Sequence, residues 1–155
     1  MKRTIFVLII LLVTLSSFAQ EPGNNLGNSI AQIKQNFPNL VYSRINKGYE
    51  VYKSKGEDKD FTSFYFNNGR LVSEETFIFD DTSNGNYITH LYSSLILKLS
   101  NFNGKVKRRK YSDSDITFFY FSNFIIKVAN YGNQLQILYE LKGYNINITA
   151  LQARP

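Results

Sequence analysis

The sequence predicts an α+β domain: a predominantly antiparallel β-sheet carrying two helices. Short runs rich in Phe, Tyr, Ile and Val alternate with Asn/Gly turns, the pattern of successive hairpins. Two other segments repeat their apolar residues at helical spacing. The chain also holds 13 Phe and 11 Tyr but no Cys, so its core must be built from rings, each able to bury roughly 150–250 Å².

The chain opens with Lys2 and Arg3, an apolar run from Ile5 to Leu15, and Ser17 and Ala19 placed as signal peptidase requires. This is the form of a secretory signal. A membrane span needs about 20 apolar residues, and this run breaks at Thr14, Ser16 and Ser17. Residues 1–19 are therefore expected to be a cleaved signal peptide, and residues 20–28, polar and glycine-bearing, a flexible leader. Residues 29–155 form one domain by length. Without cysteine there is no lipid anchor, and no later run is long enough to span a bilayer, so the product is expected to be exported, soluble and either periplasmic or secreted. The richness in Asn, Lys, Ile, Phe and Tyr is that of an AT-rich bacterial genome.

Asn28 or Ser29 can cap a short helix in which Ile30, Ile33 and Phe37 share a face and Pro38 ends it. Strands follow at Leu40–Ile45 and Gly48–Lys55 around Asn46-Lys47-Gly48, and at Phe61–Phe66 and Arg70–Phe79 around Asn67-Asn68-Gly69. Asn and Gly tolerate the positive φ of a tight hairpin. Residues 80–86 read as a loop. Ile88, Leu91, Tyr92, Leu95, Ile96 and Leu99 then mark an amphipathic helix, ended near Asn103-Gly104. Four more strands are expected at Lys105–Tyr111, Asp115–Ser122, Phe124–Asn130 and Gln134–Leu141. The last alternates apolar and polar residues, which predicts one buried and one mostly wet face.

Each half thus reads as a helix followed by four strands, and TSFYFNNG at Thr62–Gly69 lines up with TFFYFSNF at Thr117–Phe124. Together these suggest a tandem α-β4 repeat over 29–80 and 86–142. That layout resembles the tandem-repeat β-lactamase-inhibitor-type proteins in architecture; the resemblance implies helices packed on one face of the sheet.

The formal charge of +6 falls to +4 once Lys2 and Arg3 are removed, and it concentrates in the second half. Five of the six residues Lys105–Lys110 are cations. In a strand, Lys107, Arg109 and Tyr111 fall on one face and Arg108 and Lys110 on the other. Charge on both faces forbids a central position and fits an edge, where lysines also block aberrant pairing. No nucleic-acid motif accompanies the run. Acidic pairs occur at Glu57-Asp58, Glu74-Glu75 and Asp80-Asp81; of these Glu74 and Glu75, neighbours in a strand, point to opposite faces and cannot act as paired catalytic carboxylates. Residues 80–84 lack the spacing of a calcium loop. His90 stands alone, and no GxSxG turn exists.

These readings point to a non-enzymatic binding or interaction domain of a bacterial envelope or secreted protein, with no cofactor, metal or nucleic acid. Its partner would be a protein or an anionic envelope component, and its contact residues Lys107, Arg109, Tyr111, Tyr42, Tyr52 and Tyr65. A small exported hydrolase using Glu74 or Asp80 is the alternative, and a structural envelope or secretion-system component the third.

Overall fold

A computed structural model describes residues 23–56, 59–80, 86–144 and 146; the expected signal peptide, 1–19, lies outside them. The elements run α1 (Ile30–Asn36), β1 (Val41–Asn46), β2 (Tyr49–Lys55), β3 (Phe61–Asn67), β4 (Arg70–Phe79), α2 (Asn86–Leu99), β5 (Lys105–Lys110), β6 (Asp115–Tyr120), β7 (Phe124–Asn130) and β8 (Gln134–Leu141). The strands form one antiparallel sheet in the order β1-β2-β3-β4-β8-β7-β6-β5. Among the described residues the sequence therefore located both helices and all eight strands to within a residue or two at their ends, except that α2 stops at Leu99, short of Asn103-Gly104.

Local chemistry explains the boundaries. The Ser29 hydroxyl accepts from Gln32 N–H while the Gln32 side chain accepts from Ser29 N–H, a reciprocal cap that satisfies two orphan donors of a seven-residue helix. Asn68 and Gly69 both hold positive φ, at 49° and 72°, and join β3 to β4 with Asn67 opposite Arg70. One irregularity in that hairpin, between Tyr65 and Phe66, admits an extra residue on β4. It turns Leu71 towards α1, and Val72 to the opposite side with Tyr65 and Val51.

Both helices lie on the same face. Ile33 of α1 buries against Phe64, Phe66 and Leu71. Ile88, Leu91, Leu95, Ile96 and Leu99 of α2 bury against Phe119, Ile126, Val128 and Leu135. The two packs sit on opposite sides of the β4–β8 junction, and residues 23–28, part of the expected leader, bridge the seam between them. Gly23 lies so near the Phe124 ring that a Cβ there would stand 3.1 Å from it. Further along, Asn25 reaches Glu74, and Gly27 N–H donates to Leu71 C=O.

Two expectations change. The final strand is not wet on one face: Gln136, Leu138 and Glu140 are buried as well as Leu135, because β8 is central, between β4 and β7. The aromatic likeness falls on β3 and β6, the third strand after one helix and the second after the other, so it does not mark equivalent positions in the two halves.

Removing the α1 cap gives a direct check. Ser29→Ala should lower unfolding free energy by about 1 kcal/mol in a denaturant titration, with an unchanged slope.

Candidate functional site

The edge strand β5 and the helix α2 build a concave site. Since α2 rests on β6, β7 and β8 through Phe119, Ile126 and Leu135, β5 overhangs beyond the helix. The gap between them is a groove of about 590 Å³, within the range of small-ligand sites, about 300–1,000 Å³. Register sets which cations enter it. Arg108 pairs with Thr117, and the Thr117 hydroxyl lies 2.8 Å from the Tyr92 hydroxyl of α2, so Arg108 is on the helix side. Lys110, two residues on, shares that side, 3.9 Å from Asp115. The opposite wall is Tyr92, Ser93, Ile96, Leu97 and Ser100. Asp115 is the one carboxylate in the lining.

The expected contact residues are not brought together. Lys107 and Arg109 pair with Phe118 and Ile116, on the strand face away from the helices, but half-buried Arg109 and buried Ile116 still form part of the groove lining; Tyr111 is exposed just beyond the strand. Tyr42 and Tyr52 stand on the helix side at the other edge, rings 5.5 Å apart. Burial, then Glu50 and Tyr42, raise the Tyr52 hydroxyl above its ordinary pKa. With β1 and β5 at opposite edges of eight strands, the two groups are separated by seven strand spacings of about 4.8 Å each. Tyr65 is buried and donates to Glu75 at 3.1 Å. Of the expected cations Arg109 is in the groove lining, together with Arg108 and Lys110; the last two were missed because only the position of α2 distinguishes the two faces of β5.

The second polar assembly lies at the centre of the sheet, on the face away from the helices. Lys127 of β7 is fully buried and donates to Gln136, which donates to Glu75. Tyr131 also donates to Gln136, at 3.3 Å, and Glu140 accepts the Ile146 N–H at 3.1 Å. Desolvation pulls the Lys127 ammonium down to about 8, with Glu75 and Glu140 opposing the shift. A lone Lys inside the run Phe124–Asn130 was a readable sign, because a buried charge demands partners.

Glu74 and Glu75 do point to opposite faces. On the helix side Glu74 is buried in the seam, opposite Tyr139, and accepts from Asn25 at 3.0 Å. Burial raises its pKa, partly offset by that hydrogen bond; burial and then Glu74 raise the Tyr139 hydroxyl. His90 is exposed on α2. Among the described residues no group of three or more His, Cys, Asp or Glu could hold a metal ion, and no helix is long and apolar enough to cross a membrane.

No family model matches the chain, and no solved structure matches it. Protein PFC0760c of Plasmodium falciparum (isolate 3D7) is 33% identical over 87 residues, 55% of this chain. The chain spans only 2% of that protein's length, so the similarity defines neither family nor activity.

Two stability measurements follow. Lys127 has a folded pKa below its unfolded one, so between about 8 and 10.5 the unfolded chain binds the extra proton and stability rises with pH. Its contribution should steepen ΔG of unfolding by up to about 1.4 kcal/mol per pH unit in that window, and Lys127→Met should remove the difference. Glu74 is the reverse case: its raised pKa means a penalty that grows as pH climbs above the ordinary carboxylate range. Glu74→Gln, which still accepts from Asn25, should raise the melting temperature at pH 7 and change it little at pH 4.

Proposed function

We propose that the chain is an exported, non-enzymatic binding domain that holds an anionic envelope component or protein at its basic edge. The observation that carries this is the groove beside β5, where Arg108, Arg109 and Lys110 meet a partly apolar helix wall and, among the described residues, one carboxylate. An edge strand bearing cations on both faces could be merely solvated. A concave, cation-lined cleft is instead a shape that a partner can fill, and Arg is among the residues that most often anchor interfaces. Export rests on the amino-terminal signal pattern. A tandem arrangement like that of β-lactamase-inhibitor-type proteins is supported by the order α-β4-α-β4 rather than by the aromatic runs.

The hydrolase reading has less behind it. Glycosidase-type chemistry needs two carboxylates about 5–9.5 Å apart across a substrate, whereas Glu74 is buried with Asn25 and Tyr139, and the groove has Asp115 alone.

Retention of the purified chain on envelope extract, measured against salt, tests the binding reading. Arg108→Glu with Lys110→Glu should reduce retention at least tenfold and flatten its salt dependence, while Lys105→Glu with Lys107→Glu, outside the groove lining, should have the smaller effect. Equal retention by all three proteins would remove the basic edge from the function.

A further inference from the structure

We infer that the groove takes one molecule of a single-chain anionic amphiphile, with its phosphate or carboxylate head at Arg108 and Lys110 and its chain along α2. The inference rests on the binding reading of the basic edge and specifies the ligand class.

Three features select this ligand over a simple anion or a flat acidic surface. The first is polarity along the groove. Arg108 and Lys110 supply charge from β5 and Ser93 a hydroxyl from α2, whereas Ile96 and Leu97 of the helix wall supply apolar surface. A small anion would leave that surface wet.

The second is an exposed apolar strip. Leu97 is 70% exposed and Val106, on the helix side of β5, 40% exposed. Val106 pairs with Phe119, beneath α2. Leu97 lines the cleft, Val106 shares its side of β5 two residues from Arg108, and each CH₂ of a ligand chain buried there contributes about 0.8 kcal/mol. A polynucleotide has no alkyl chain to lay along such a strip, and a peptide would cover it only with apolar side chains placed beside its acidic ones.

The third is charge balance. Lys110 lies 3.9 Å from Asp115, a long, exposed contact of the kind that contributes little, so it can turn to an incoming head. Arg108 has a planar fork that matches a phosphate or carboxylate in two-point contact. The Tyr92–Thr117 hydroxyl contact at 2.8 Å fixes the groove floor beside it. The volume, about 590 Å³, suits one chain rather than a bilayer patch, so the ligand is a monomer.

The test is calorimetric titration of the purified chain with dodecyl phosphate below its micelle concentration, alongside dodecyl maltoside and inorganic phosphate. The inference expects saturation at one per chain, with both controls at least tenfold weaker. Arg108→Gln with Lys110→Gln should weaken dodecyl phosphate tenfold or more, and Leu97→Gln severalfold, whereas Lys105→Gln with Lys107→Gln on the far face should leave it unchanged. These are surface positions, and circular dichroism of each variant verifies the fold. Inorganic phosphate binding as tightly as dodecyl phosphate would overturn the inference in favour of a plain anion site, and equal binding of the maltoside would overturn the role of the cations. Competition by an acidic peptide at equal concentration would point to a protein partner and overturn it too. If dodecyl phosphate fails to saturate while Arg108→Glu with Lys110→Glu still abolishes envelope retention, the ligand class falls and the binding reading stands. Failure of both removes both.

Discussion

The β4–β8 ladder is the constraint on which the molecule depends. Seven consecutive pairs, from Ser73 opposite Glu140 to Phe79 opposite Gln134, fuse two four-stranded meanders into one sheet. Without it, each half would expose an edge and a single small helix pack. With it, β4 and β8 become central and bury both of their faces, and the outer strands β1 and β5 become the edges of the whole.

Burying both faces of a strand pair that carries Glu74, Glu75, Gln136, Tyr139 and Glu140 is costly unless each group finds a partner. On the helix side, Asn25 supplies one, which explains why residues 23–28 are drawn across the seam between the two helix packs. On the other side Lys127 brings a cation to two carboxylates and is linked to Glu75 through Gln136. Such a network stabilises less than an apolar core of equal size, but it tolerates few other registers. A one-residue slip of β8 would carry Gln136 away from both Glu75 and Lys127.

The same geometry produces the groove. A helix is roughly 10 Å across and a strand spacing about 4.8 Å, so two helices cannot cover a face of eight strands. The outer strands protrude beyond them. At the β1–β2 side the overhang shows Tyr42 and Ile45; at the β5 side it shows cations and Val106. One basic run thus serves two purposes: its far-face cations protect a sheet edge, and its helix-face cations line a cleft.

Fold class, both helices, every strand and the edge position of Lys105–Lys110 were legible in the sequence, because periodicity, caps and Asn/Gly turns are local properties encoded within a few residues. The hairpin Phe61–Asn67/Arg70–Phe79 needed nothing beyond Asn68-Gly69 and alternating rings. Tertiary structure alone decided which strands lie at the centre, and therefore that Gln136 and Glu140, polar in an alternating strand, are buried. It also decided that Tyr65 is a buried donor to Glu75, that Tyr42 and Tyr52 stand at the far edge from Lys107 and Arg109, and that Arg108 and Lys110 lie on the side of β5 that faces α2. Alternation places side chains on two faces of a strand; which face meets a helix depends on long-range packing, and no local pattern records it.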